Sequence, residues 1–412
     1  MTSEIFCSKA LILVTSRPES VEVAVGTLRP EVLAVIFSQE VFLAVAEKCS
    51  ELKGEGVEFR HRMVDDPMEI SDAFAKFGLA LSDLTGMGYG HEDVLLDVTG
   101  GTTPMRVGTA LAAMTRGIGM VHQRVPQRYV GGNWSRDESK EIEVVAMQNP
   151  LLATGLLREG QAVELFNRRD YAAAALVFGD IVGKVSGVER GQYYRGLLLL
   201  AQGYAAWDVA DYGSALSRLS AAKGELEGDF ADRALSGRAE GLIARISSNL
   251  SFLGKVRGRL SAYSVVDMLE NARRRIADQG RYNDGVARLY RTVEMYHQWR
   301  LSERSTSTAN VDWKKVDPEA RERFLEETGL AELPPLLDLL RARTLDRILN
   351  GDLPEDDAVL RDLLRQRNHS ILAHGLEPIG EKAARRFLEY VDAMVLAPEA
   401  RTGAEHATLR GL

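Results

Sequence analysis

The stretch DVLLDVTGGTTPM (93–105) decides how the N-terminal part of this chain is read. Its first half is a short apolar run, and its second half holds two glycines, three threonines and a proline. The run predicts a strand. Gly100 and Gly101 let the backbone approach a ligand closely, Thr102 and Thr103 can cap a following helix, and Pro104 suits that helix's first turn. Outward from it, KALILVT (9–15) and EVLAVIF (31–37) are runs of the same kind, while VEFRHRMV (57–64) alternates more. Helical patterns fill about 18–28, 40–53, 67–87 and 103–116. Near-continuous apolar strands alternating with helices predict a mostly parallel sheet covered on both faces. Beyond residue 116, GIGMVHQRV, a turn-rich stretch with GGN (131–133) and KEIEVVAM (140–147) predict a terminal antiparallel β-hairpin. The expected class is an α/β Rossmann-like domain over 1–150.

Ligands of such sheets sit at the carboxyl ends of the strands. The candidate ligand-binding residues are therefore Thr15, Ser16 and Arg17 in TSRPES (15–20), with Thr99, Gly100, Gly101, Thr102, Thr103 and Met105. The first loop has no glycine, so the G-x-G-x-x-G fingerprint is missing where a dehydrogenase needs it. The second loop opens a helix N-terminus, a natural anion site. A plain capped turn is its alternative reading. Asp65 and Asp66, in VDDPMEI (64–70), read as helix capping after the third strand, with a second role beside the ligand pocket left open.

The whole chain has 412 residues, enough for two or three domains. With 45% hydrophobic and 27% charged residues it is neither disordered nor collagen-like. Its two cysteines, Cys7 and Cys49, make no disulfide framework and read as small hydrophobes of a reducing compartment. The N-terminus lacks the pattern of a signal peptide, and no apolar run is long enough to span a membrane. A cytoplasmic location without membrane association is expected. The net charge of −8 argues against a broad basic surface for double-stranded DNA. His61, His91, His122, His297 and His406 show no ligand spacing, so no metal site is expected. No nucleophile-elbow or P-loop motif occurs.

From about 155 to 260 the pattern is helical throughout, which predicts an all-α connector over 151–262. RRDYAAAALVFGDIV (168–182) and VADYGSALSRLSAA (209–222) share an Asp-Tyr pair ahead of an apolar stripe, and RYNDGVARLY (281–290) is a looser third copy. A connector and a peptide-binding groove are both compatible with it. The all-α region from 263 to 412 opens with an arginine-rich stretch, 273–304, holding eight arginines against four acidic residues. Tyr282, Tyr290, Tyr296 and Trp299 lie among them, a mixture suited to single-stranded RNA. An amphipathic helix with a solvated arginine face is the alternative. STSTAN (305–310) reads as a mobile loop, DLPEDDA (352–358) as a capped helix start, and the residues after 397 as a frayed tail.

AVLRDLLRQRNHSILAHG (358–375) is amphipathic, and Gly375 is read as the stop of a helix reaching that far. On one such helix Arg367 and His374 fall within about 20° of each other, some 10 Å apart along the axis. Arginine can stabilise charge developing on a phosphate, and histidine can move a proton near neutral pH. Asn368 can bind the phosphate or orient the histidine. RNA brings its own 2′-OH nucleophile. By spacing alone the pair is also compatible with a surface accident.

Two resemblances meet here. DVTGGTTPM resembles the D-x-T-G-G-T-K-x-M loop of CARF domains, the Rossmann-fold sensors of CRISPR systems. RNHSILAHG resembles the R-x(4–6)-H motif of HEPN ribonucleases. Arg367, Asn368 and His374 stand at the motif positions, and the motifs follow in family order, roughly 265 residues apart. The resemblance to the CARF–HEPN ancillary ribonucleases of type III CRISPR defence implies a homodimer whose N-terminal domains bind a cyclic oligoadenylate as allosteric activator. It implies no other cofactor, single-stranded RNA as substrate, catalysis by Arg367, Asn368 and His374, and a 2′,3′-cyclic phosphate product. The family's loop often carries a lysine where this chain has Thr103, with Arg17 and Arg106 as the neighbouring cations. This departure leaves ring size open, with cyclic tetra-adenylate favoured over hexa-adenylate. It also ranks ligand cleavage below RNA cleavage. A non-catalytic sensor or adaptor and a ring nuclease are the alternatives.

Overall fold

The computed structural model describes residues 9–124, 126–130, 133–136, 140, 142–351, 353, 358–370, 375–395 and 404–406. The chain divides into two compact units, one running to Arg158 with Lys184–Ser186 added, the other holding Glu159–Gly183 and the residues from Gly187 on.

In the first unit, strands β1 (Ala10–Val14), β2 (Val32–Ser38), β3 (Glu58–Val64), β4 (Val94–Asp97) and β5 (Gly119–Arg124) alternate with helices α1 (Glu19–Leu28), α2 (Phe42–Leu52), α3 (Ile70–Gly86) and α4 (Thr103–Arg116). A small hairpin comes next, β6 (Gln127–Val130) with β7 (Asn133–Arg136), and then β8 (Glu143–Met147) and the short α5 (Pro150–Ala153). The main sheet has the order β3-β2-β1-β4-β5-β8. Its first five strands are parallel, and β8 closes antiparallel on β5, with Met120 opposite Met147. The expected antiparallel pairing is present between β5 and β8, and β6 and β7 form an extra hairpin between them; Gly131 and Gly132 of the GGN stretch lie outside the described residues.

The apolar runs are continuous because both faces are buried. Ala10, Ile12 and Val14 face Ala73, Phe77 and Leu84 of α3 and Met105, Ala112 and Ala113 of α4. Leu11 and Leu13 face Val21, Val25 and Leu28 of α1 and Val45 and Cys49 of α2. Each such aliphatic side chain contributes about 1.5–3 kcal/mol. β3 alternates because it is the edge strand, with Phe59 and Val64 buried and Glu58 exposed. Cys49 is one of the buried hydrophobes, its thiol pushed up to about 11 by desolvation. The strand order reverses between β1 and β4, so their carboxyl ends lie side by side, with Leu13 opposite Asp97.

Beyond α5, the longer elements among the described residues are all helices: α6 (Leu156–Asn167), α7 (Tyr171–Lys184), α8 (Val188–Asp208), α9 (Tyr212–Leu226), α10 (Arg233–Val256), α11 (Ala262–Arg273), a π-helical turn (Arg274–Asp278), α12 (Tyr282–Glu303), α13 (Pro318–Thr328), α14 (Leu339–Asn350), α15 (Ala358–Asn368) and α16 (Glu381–Met394). α8 and α9 lie close because Gly196 and Gly203 lack a Cβ, which would stand 2.7 Å from Leu226 and Leu219 respectively. The weak repeat is a recurring joint. Arg169, Ala210 and Gly280 all take left-handed φ values (65°, 61° and 65°) immediately before the Asp-Tyr, Asp-Tyr and Arg-Tyr pairs. Asp170 and Asp211 then accept from the amides of Ala173 and Ser214, capping the next helix.

Two expectations fail in this unit. STSTAN is packed rather than mobile: Thr306 and Thr308 are buried, and the Thr308 carbonyl accepts from the Leu337 amide. The C-terminal residues Ala404–His406 are docked rather than frayed. The His406 ring stacks 4.5 Å from Tyr204 and lies 4.3 Å from Trp207, and its Nδ1 is 2.7 Å from the Tyr171 hydroxyl. Asn249 donates to the Glu405 carbonyl. Desolvation holds the His406 imidazole well below its ordinary pKa.

Candidate functional site

At the carboxyl edge of the parallel sheet, the loop after β4 is built by its own polar residues. Asp97 is wholly buried and accepts from the Thr99 amide, the Thr99 hydroxyl and the Gln123 side chain. Burial pushes its carboxyl above the usual range, against those three donors. The Gln123 amide in turn donates to Thr99 Oγ1 (2.7 Å), which ties the loop to β5. Gly101 has φ +83°, a backbone that glycine alone adopts without strain. A Cβ on Gly100 would stand 3.1 Å from Thr15 Cα, so glycine is what brings the β1 and β4 loops together. Thr102 caps α4 by accepting from the Met105 amide, and its hydroxyl donates to the Pro67 carbonyl (2.6 Å). That bond brings the Asp65–Pro67 turn to the same edge. The Asp65 and Asp66 amides both donate to Asp72, so this turn is itself fixed to α3.

The candidates divide by exposure. Thr15 and Met105 are fully buried. Thr15 Oγ1 both donates to the Arg17 carbonyl and accepts from the Arg17 amide, and Met105 belongs to the sheet–helix core. They shape the loops from beneath. Arg17 and Thr103 are exposed, and Ser16, Thr99, Gly100, Gly101 and Thr102 are half-buried. Arg106 lies beside Thr103, donating to its hydroxyl at 3.3 Å, and its Nε has no hydrogen-bond partner.

The second candidate site lies at the end of α15. The helix stops at Asn368, before the expected end at Gly375. The chain turns at His369, the Gly375 amide donates to the Ser370 carbonyl (3.2 Å), and Ser370 bridges to Glu377. A Cβ on Gly375 would collide with the His369 carbonyl, so this position takes glycine because backbone passes close to it. The one-face argument for Arg367 and His374 therefore does not hold, and His374 lies outside the described residues. Arg367 is half-buried, with its guanidinium carbon 4.2 Å from the Tyr290 ring centroid and its Nη1 donating to Asn368 Oδ1 at 3.1 Å.

The arginine-rich stretch is only partly solvated: Val286, Leu289, Val293 and Tyr296 are buried and Arg281, Arg291 and Arg304 are exposed, while other arginines are tied to carboxylates. Arg275 Nη2 stands 2.6 Å from the buried Asp208 carboxylate, with Arg274 3.7 Å from its other oxygen. Arg288 pairs with Asp284, Arg273 with Asp392, Arg291 with Glu294, and Arg300 with the buried Asp346. Asp346 also meets His297 Nδ1 at 2.7 Å. Asp267, wholly enclosed, accepts from Trp207 Nε1 and the Tyr212 hydroxyl. Desolvation raises its carboxyl.

Comparison with known proteins places these geometries. Residues 255–396 match the Csm6 HEPN domain family, and residues 155–240 match the Csm6 6H domain family. The CRISPR system endoribonuclease Csm6 of Thermus thermophilus is 25% identical over 329 residues, covering 75% of this chain and 70% of that protein. Over these two stretches the chain is similar to the CRISPR-system Csm6 endoribonucleases, with a HEPN domain among its matched residues. The structure of Enterococcus italicus Csm6 bound to cyclic hexa-2′-fluoro-hexa-dAMP shares the fold, at 12% identity and a TM-score of 0.53, over 95% of this chain and 94% of that one. The N-terminal α/β unit and the all-α remainder are thus the CARF–HEPN architecture. In the HEPN region the fold brings Arg367 and Asn368 together and adds Tyr290, which reading the sequence placed among RNA-stacking aromatics. In the CARF loop it adds Asp97 and Gln123, which spacing alone did not single out. No helix among the described residues is long and apolar enough to cross a membrane. Among them, too, no group of three His, Cys, Asp or Glu could hold a metal ion.

Proposed function

We propose that this protein is a cytoplasmic endoribonuclease of type III CRISPR defence that cleaves single-stranded RNA without a metal and is switched on by a cyclic oligoadenylate. Residues 1–150 act as the sensor, 151–262 as the connector and 263–412 as the ribonuclease. The matches to the 6H and HEPN families support the last two. The protein works as a homodimer. The ring sits between two CARF domains on Ser16, Arg17 and Thr99–Thr103, with Thr15 and Met105 holding those loops in shape. Oriented backbone at the α4 N-terminus and the guanidinium groups of Arg17 and Arg106 face its phosphates. The likeness to a Csm6 structure with a cyclic hexanucleotide bound supports a ring-shaped ligand. With Thr103 in place of the lysine, the ring size stays open between tetra- and hexa-adenylate.

Two copies of Arg367, Asn368 and His374 form one composite site. The 2′-oxygen attacks the adjacent phosphorus as its proton passes to a neutral His374 imidazole. The P–O5′ bond breaks, and the 5′-oxygen takes up a proton, leaving a 2′,3′-cyclic phosphate. Arg367 binds the phosphate as charge builds on its oxygens, and Asn368 helps to orient it. One observation carries this reading. In a region where arginines pair with carboxylates, Arg367 has none within ion-pair distance among the described residues, and so presents its charge to a ligand. His374→Ala tests it. RNA cleavage is expected to vanish while affinity for the ring stays at the wild-type value. Cleavage that survives the substitution would remove His374 from the chemistry and move the protein to the sensor or adaptor reading.

A further inference from the structure

We propose that Tyr290 is a positioning residue for RNA cleavage, fixing the Arg367 guanidinium by its face so that its edge stays open to phosphate. The inference rests on the assignment of Arg367 to the catalytic site.

A guanidinium has two kinds of surface. Its planar edge carries five N–H donors and grips phosphate or carboxylate, often through two parallel bonds, while its face stacks on aromatic rings. The neighbouring arginines are held in ion pairs: Arg273, Arg275, Arg288 and Arg300 each pair with a carboxylate. An arginine held that way must break an ion pair before it can bind RNA. Arg367 is held by its face, 4.2 Å from the Tyr290 ring centroid, and gives one edge donor to the neutral amide oxygen of Asn368. Among the described residues, no carboxylate lies within ion-pair distance of its remaining donors.

Tyr290 is well placed to be a fixed platform. It sits in the middle of the 22-residue helix α12, which packs between α11, α14 and α16. Leu289 on one side of it is fully buried, as is Val293 one turn on. Burial and the nearby Glu294 carboxylate keep its phenol above the ordinary pKa, so the ring remains a neutral π face at physiological pH. Arg367 is on the last turn of α15, just ahead of the loop closed by Gly375. A long side chain at a helix end has several rotamers, and a ring beneath it selects one, lowering the entropy lost when phosphate binds. A cation–π contact of this kind is worth about a 3- to 30-fold change in rate.

The experiment uses the full-length protein, a fluorescent single-stranded RNA, and cyclic tetra- and hexa-adenylate each as activator. Tyr290→Phe keeps the face and should retain activity within about 3-fold of wild type. Tyr290→Leu keeps most of the volume without the face and should lower kcat by about 3- to 30-fold, with KM and ring affinity little changed. Tyr290→Met stands in if the leucine variant does not fold, as judged by its unfolding midpoint. Wild-type kcat in the leucine or methionine variant, beside an inactive Arg367→Ala, would overturn the inference and leave the catalytic assignment intact. Equal losses in Tyr290→Phe and Tyr290→Leu would overturn it as well, because the hydroxyl would then matter rather than the face. Full activity in Arg367→Ala would instead overturn the catalytic assignment on which the inference depends.

Discussion

The CARF loop at Thr99–Met105 and the arginine-rich stretch 273–304 both stand out by residue type, and in both most polar side chains bind other parts of the protein. In the loop, Thr99, Thr102 and Asp97 hydrogen-bond to β5, to the Asp65–Pro67 turn and to each other, and the edge they build leaves Arg17, Thr103 and glycine backbone toward solvent. In the arginine-rich stretch Arg274 and Arg275 are buried and join the end of α8 to the turn after α11, and Arg288 pairs with Asp284 within α12. A motif that draws the eye to a candidate site can thus spend half its side chains on holding the loop in shape. A basic run can be the interior of a helical domain.

That contrast is broken most directly from the helical side. Asp208→Ala should leave the buried Arg274 and Arg275 without their carboxylate and destabilise the protein by about 3–5 kcal/mol. Urea unfolding measures this, and a change under about 1 kcal/mol would mean that the cluster is hydrated. The matching change in the CARF loop is Gly101→Ala. A left-handed backbone and a Cβ 2.9 Å from Val14 Cγ2 should cost about 1–3 kcal/mol and lower ring affinity at least tenfold, read by isothermal titration. Unchanged affinity would place the ligand elsewhere. Gly375→Ala makes the same kind of test at the HEPN loop. It should reduce cleavage severely while ring binding is kept, because the new methyl strikes the His369 carbonyl.

A smaller effect separates the units by pH. Burial holds both His297 and His406 below the ordinary histidine pKa of about 6.5, so the folded chain keeps them neutral while the unfolded chain takes up protons. Their contribution to stability is complete above that value and is lost as pH falls below it. Unfolding free energy measured from about pH 7.5 to 5 should decline, and His406→Phe should reduce the slope. An unaltered slope would mean that His406 is already protonated in the fold.

The strands and the first four helices were legible in the sequence because a sheet buried on both faces leaves continuous apolar runs, and the glycines at 100 and 101 mark where two loops must touch. Other features were hidden for physical reasons. The end of α15 is set by the Ser370–Glu377 bridge, a contact between residues with no special helix-stopping chemistry. The docking of His406 depends on Tyr171, Tyr204 and Trp207, which are far away in sequence and lie on other helices. The ion pairs of Arg273, Arg275 and Arg300 depend on carboxylates from α16, α8 and α14, so a count of local charge could not reveal them. Asp97 was visible as part of a strand, and only its neighbours Thr99 and Gln123 disclose its role.

The central claim is that a ring bound at the CARF edge switches on the HEPN site. The most direct measurement is cleavage of a fluorescent single-stranded RNA by the purified protein in EDTA, without ligand, with cyclic tetra-adenylate and with cyclic hexa-adenylate. Little cleavage is expected without ligand, strong cleavage with one ring, and 2′,3′-cyclic phosphate ends on the products. Equal cleavage with and without either ring, or no cleavage while a ring is bound, would contradict it.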